Sequence, residues 1–226
     1  MKTSRYIQWV TFGLLMLTNQ AVAIDLQPGE LRSPKPDTNL LMLSYQQSER
    51  GNSYLHGYKQ SGNPEIRTSQ LQVRLGRSFE VAEHPAFFYV QTPLGYTHPA
   101  GSLSAAKGDA GVGDTTFLLA IWPYANNETK NYFAVGAYLT APTGSYDHER
   151  SFNVGQNRYS TALQAGYQAP LVGTLNWMAA LDAIWFWKND AFGHNRNTLA
   201  ACLTSSNKKR QKNQQITIAK WYNSTC

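Results

Sequence analysis

The chain has 226 residues, 42% hydrophobic and 15% charged, with 20 basic and 14 acidic residues and a formal net charge of +6. Six basic residues (Arg196, Lys208, Lys209, Arg210, Lys212, Lys220) and no acid follow Asn195, so the remainder is balanced in charge. The high net charge therefore belongs to the tail and gives no ground for a basic nucleic-acid-binding face on the main body. The two cysteines, Cys202 and Cys226, both lie in the tail and exclude a disulfide-built body.

At the N-terminus, Lys2 and Arg5 precede an apolar run from Ile7 to Leu17, and Ala21-Val22-Ala23 offers a small-x-small cleavage site. This predicts a secretory signal over 1–23. The run is too short for a membrane helix, which needs about 18 or more apolar residues. Residues 24–38 carry three prolines and read as an irregular periplasmic leader.

From Asn39 to Lys188 the chain repeats one unit, roughly ten alternating residues and then a turn. Seven strands are expected, over 39–58, 69–79, 86–96, 114–124, 131–141, 158–169 and 174–187. The period of two puts Leu71, Val73 and Leu75 on one face of the second and Gln70, Gln72 and Arg74 on the other. In the fifth, Phe133, Val135, Ala137 and Leu139 oppose Tyr132, Ala134, Gly136, Tyr138 and Thr140. In the sixth, Tyr159, Leu163, Ala165 and Tyr167 oppose Ser160, Gln164, Gly166 and Gln168.

The seventh sets Trp177, Trp185 and Trp187 on an aliphatic face against Asn176 and Asp182. At the strand rise, Trp177 and Trp187 stand about 33 Å apart along the chain, or roughly 23 Å after a 45° tilt. That matches the apolar band of an outer-membrane barrel with its two aromatic girdles, and a sandwich core is the competing reading. Two strands resist assignment: "TTFLLAIWPY" is apolar on both faces, and in "AFFYVQTPLGY" Phe87 and Tyr89 oppose Phe88 and Val90.

Short links (80–85, 125–130, 170–173) alternate with long ones (60–67, 97–112, 141–157). Bacterial outer-membrane barrels have short periplasmic turns and long external loops, so residues 39–58 are expected to cross once, with a hairpin at Arg50-Gly51-Asn52 as the local alternative. Seven is odd, and a closed barrel of this kind needs an even count, so the barrel is expected to be incomplete.

The runs "LMLSYQQSERG", "GVGDTTFLLAIWPYANNETKNYFAVGAYLTAPTGSYD" and "RYSTALQAGYQAPL" resemble the transporter family named for the meta-pathway of phenol degradation. The sharpest parts are Gly111-Val112-Gly113-Asp114 and Pro142-Thr143-Gly144-Ser145-Tyr146-Asp147. The resemblance implies an all-β, antiparallel transmembrane barrel of the outer membrane that takes up small, poorly charged aromatic solutes. It covers 39–195; residues 196–226 have little alternation and read as a basic non-barrel tail, out of frame or replaced, on a truncated chain.

Chemistry elsewhere is sparse. His148 and Ser151 lie close in sequence, but a nucleophile needs an oriented base and an oxyanion hole. His56, His84, His98, His148 and His194 are scattered without metal-ligand spacing, and Gly111-Val112-Gly113-Asp114 precedes a strand instead of the helix a phosphate loop requires. The "NKKRQK" cluster reads as a solvated tail.

The expectation is a passive channel, not an enzyme, with no cofactor, no nucleic-acid partner and its oligomeric state open. Its partners would be outer-membrane lipid and a small solute. Candidate lumen-lining residues are Gln70, Gln72, Arg74, Gln91, Tyr138, Gln164, Gln168, Asn176 and Asp182. A soluble exported β-protein binding a small ligand and an outer-membrane lipid hydrolase are the alternatives.

Overall fold

Alternating apolar and small or polar residues build strands here because one face of each strand is buried while the other is not. The structure is a computed structural model describing residues 30–51, 54–55, 58–59, 62–172, 175–191, 198–205 and 214–223. The expected signal over 1–23 lies outside them.

Among the described residues every regular element is a strand. The first seven are β1 (Thr38–Arg50), β2 (Tyr54–Leu55), β3 (Tyr58–Lys59), β4 (Pro64–Val81), β5 (His84–Gly101), β6 (Asp109–Val112) and β7 (Thr115–Asn126). Then come β8 (Asn131–Ala141), β9 (Ser160–Val172), β10 (Leu175–Phe186), β11 (Thr198–Ser205) and β12 (Gln214–Asn223).

The main sheet runs β11-β10-β9-β8-β7-β5-β4-β1-β12, with β6 continuing the line of β7 along β5. All its ladders are antiparallel. The β4–β5 hairpin closes through Ala82 and Glu83, at φ 48° and 65°, the left-handed pair whose twist suits a two-residue turn. Short and long connections alternate as the sequence predicts, with 102–108 and 142–159 at one end and 82–83 and 127–130 at the other.

Three boundaries differ from expectation. The first crossing stops at Arg50, and Tyr54–Leu55 pairs with Tyr58–Lys59 as the separate β2–β3 ladder. The second and third strands extend to 18 residues each, about 60 Å at the usual rise and more than a tilted strand needs to cross the apolar band. Their ladder continues from Val81↔His84 to Pro64↔Gly101, so cross-strand bonding sustains both strands beyond the apolar stretch.

The tail also differs. Residues 198–205 pair with β10 and residues 214–223 pair with β1, so the segment expected to stand outside the sheet supplies two of its strands. Backbone pairing to an existing edge needs no apolar alternation of its own. Because β11 and β12 are each antiparallel to their neighbours, they run in the same direction, and among the described residues they share no ladder. An odd number of further strands would be needed to close this sheet as an antiparallel barrel.

Outside, Leu43, Leu75, Phe88, Leu119, Val135, Leu139, Leu163 and Leu181 stand exposed. So contiguous an apolar surface is matched to hydrocarbon, not water. Along β9 and β10 it ends in two aromatic pairs: Tyr167 and Trp177, 5.5 Å between centroids, and, flanking the other end of the two strands, Tyr159 and Trp187, 6.1 Å and edge to face.

Inside, one cluster joins Leu40 and Met42 of β1, Phe87 and Tyr89 of β5, Leu118, Ala120 and Trp122 of β7, Tyr132 and Ala134 of β8, and Met178 and Ala180 of β10. Strands β1 and β10 are six steps apart in the sheet, so the sheet must curl to bring them to one cluster.

Candidate functional site

That cluster also contains a leader residue. Leu31 is 3% exposed, and Trp122 Nε1 donates to its carbonyl oxygen at 2.8 Å. A Cβ on Gly166 would stand 2.6 Å from Leu31 Cδ2, so the glycine is what lets the leucine seat against β9. The leader thus reaches back into the concave face, although its three prolines suggested only an irregular periplasmic segment. Its presence explains the strand that is apolar on both sides: Phe117 and Leu119 point outward, while Leu118, Ala120 and Trp122 pack around Leu31.

Ser78 holds the base of the leader. It is fully buried, its hydroxyl donates to the Lys35 carbonyl, and it accepts the Thr38 amide at 3.0 Å.

Next to Leu31, Glu30 meets Arg74, whose Nη1 lies 3.0 Å from Glu30 Oε1. Arg74 Nε donates to Gln91 Oε1 at 2.7 Å, and its guanidinium sits 4.3 Å from the centroid of the Tyr89 ring. A guanidinium withdrawn from bulk water requires a partner for its charge, and here a carboxylate, an amide oxygen and a π face supply it.

Across the inner face, Tyr138 donates to Gln164 Oε1 at 3.0 Å, and Gln164 Nε2 donates to Asp182 Oδ1 at 2.6 Å. Gln164 and Asp182 are directly opposed on β9 and β10, and Asp182 is fully buried. The amide therefore carries a carboxylate's pull out to the phenol, and its orientation follows from having a donor on one side and an anion on the other.

Of the inner-face residues predicted from sequence, the structure joins Arg74 with Gln91 and Tyr138 with Gln164 and Asp182. Gln72 accepts the Ser44 hydroxyl at 3.4 Å on β1, and Gln70 is half-buried on the same face of β4. Gln168 is buried. Asn176 is exposed beside the register shift at Leu175/Asn176, away from the polar chain. Glu30, Leu31, Tyr89 and Trp122 were not among those candidates. The only signal for the first two was a charged-apolar dipeptide in a proline-rich leader.

The two glycine-rich motifs assemble elsewhere, where the long loops meet. Asp114 Oδ1 accepts the Gly144 amide at 3.0 Å and Oδ2 the Gln156 amide at 2.7 Å. Asp109 accepts the Val154 amide at 3.0 Å and pairs with Arg150. Thr143 Oγ1 accepts the Thr115 amide at 2.9 Å. A Cβ at Gly144 would lie 2.6 Å from the Gly113 carbonyl carbon, so only glycine allows this approach. Gly111, Gly113, Asp114, Pro142, Thr143 and Gly144 thus belong to a latch between loops. Asp114→Ala should loosen 142–158 by about 2 to 3 kcal/mol, the cost of orphaned amides bonded to a charged group. Hydrogen exchange confined to that loop would report it.

The crystal structure of an outer-membrane channel from Pseudomonas putida F1 superposes with a TM-score of 0.73 at 25% identity, covering 88% of this chain and 77% of that one. A search of curated proteins gives no match. A family model matches residues 60–222, and so runs through the segment after Asn195 where the resemblance was expected to end. That extent agrees with the pairing of β11 and β12 into the sheet and removes the ground for reading the tail as foreign sequence. On this match the chain belongs to the family described as "Putative MetA-pathway of phenol degradation".

Proposed function

We propose that the protein is an outer-membrane channel for passive passage of small solutes, aromatic ones among them, with the long loops outside the cell and the leader entering the pore from the periplasm. The observation that carries this is the opposition of faces on the same strands. On β10, Trp177, Leu181 and Trp185 are exposed outward while Met178, Asp182 and Ile184 are buried inward. A soluble binder would not leave the aromatic outer band uncovered, and a hydrolase would need a nucleophile beside a base. The solved outer-membrane channel of the same fold supports the reading.

Along the pore, the Tyr138-Gln164-Asp182 chain and the amides of Gln70, Gln72 and Gln168 would offer hydrogen bonds to hydroxylated rings without strong charge selection. Planar-bilayer recording of the purified protein should show discrete conductance steps; a protein that inserts but stays silent would overturn the channel reading.

Orientation has its own test. In a Cys202→Ser, Cys226→Ser background, Lys107→Cys and His148→Cys should react with an impermeant maleimide on intact cells, and Asn127→Cys should not. All three positions are exposed in the structure. The reverse pattern would invert the topology.

A further inference from the structure

We infer that Arg74, Gln91 and Tyr89, with the apolar seat beside them, form a binding site for a monocarboxylate bearing a ring-sized apolar body, and that Glu30-Leu31 occupies this site as an internal ligand. The inference deepens the channel reading and rests on it.

Each part of the dipeptide has its own receptor. The Glu30 carboxylate lies 3.0 Å from Arg74 Nη1, the planar donor group best suited to carboxylates. Gln91 turns the guanidinium by accepting from Nε at 2.7 Å, and the Tyr89 ring supports its face at 4.3 Å. One residue along, Leu31 is buried in the apolar cluster that holds Leu118, Trp122 and Met178, with Gly166 cut back to receive it.

Arginine is not needed to hold a leucine, and a pocket of aliphatic and aromatic walls is not needed to hold a glutamate. Together they match a molecule that is anionic at one end and apolar at the other. Ser78 grips the segment at Lys35 and Thr38, several residues from Glu30-Leu31, so the dipeptide can leave its receptor while that grip holds.

A free ligand must compete with that contact, so its apparent affinity is divided by how firmly the leader docks. Titration calorimetry of the refolded full chain in detergent, with benzoate as ligand, phenol as the ring without a carboxylate and acetate as the carboxylate without a ring, tests this. Glu30→Gln weakens the internal competitor and should tighten benzoate several-fold. Arg74→Gln should abolish benzoate binding, with Arg74→Lys intermediate should the glutamine variant misfold. Phenol should be indifferent to both substitutions, and acetate should give no measurable heat.

Benzoate affinity unmoved by Glu30→Gln and Arg74→Gln, absent in every variant, or tracking phenol would overturn the site. Bilayer recording on the same preparations separates this from the parent reading. Conducting protein that ignores benzoate removes the site and leaves the channel, while benzoate binding with the predicted variant pattern in silent protein removes the channel and leaves the site.

Discussion

Val135→Arg should lower the free energy of folding into lipid vesicles by about 2 to 4 kcal/mol, the penalty for a cation on the lipid face near the bilayer midplane. Val135 sits within β8, paired with Ile121 on one side and Ala165 on the other, and is exposed outward. Its guanidinium would have hydrocarbon around it and a long way to reach water. The control is Gln70→Arg, half-buried on the opposite face of β4, where a long polar side chain already stands; it should cost under about 1 kcal/mol, as surface changes without a named mechanism do.

Gly136, the direct neighbour of Val135, is unsuitable as a lumen control despite its inward parity. A Cβ there would lie 3.1 Å from Leu118 Cδ1, so arginine would clash in a packed region instead of entering water. Equal losses for Val135→Arg and Gln70→Arg in a denaturant titration would refute the assignment of faces.

Faces were legible from sequence because period two is a local property. The Trp177, Leu181 and Trp185 stripe and its Asp182 counterpart appear in the structure as the alternation predicts. Topology was legible through turn chemistry, although β1 ends at Arg50, short of the expected 58. The tail was not legible: β11 joins the preceding strand β10 and β12 joins β1 at the other end of the sequence by backbone hydrogen bonds, and such pairing leaves little mark on side-chain pattern. The glycine motifs, which carried the family resemblance, form a loop clamp, since glycine records close approach of any kind. The leader escaped because a single leucine carries no periodicity. Its effect was visible only on the receiving strand, whose two apolar faces had no explanation until Leu31 was found between β7 and β9.

That leucine is where the second large effect is expected. Leu31→Ala should weaken docking of the leader by about 2 to 5 kcal/mol, the transfer and cavity cost of truncating a buried leucine. At about 1.4 kcal/mol per factor of ten, even the lower bound raises the undocked-to-docked ratio roughly 30-fold. The cavity is expected to stay costly because Trp122 of β7 and Gly166 of β9, which meet Leu31, sit on strands held by their own ladders and so have little room to close in. Trp122 would also lose a well-placed acceptor whenever the leader leaves, since Leu31 oxygen is where its Nε1 donates. Hydrogen exchange over 30–36 should therefore accelerate by about that 30-fold or more, and bilayer recordings should shift toward larger conductance as the inner end of the pore empties. Arg32→Ala, one residue away and exposed, removes a charge without touching the pocket and should leave both measurements near those of the parent chain. If Leu31→Ala and Arg32→Ala behave alike in exchange and in conductance, Leu31 does not hold the leader on the inner wall.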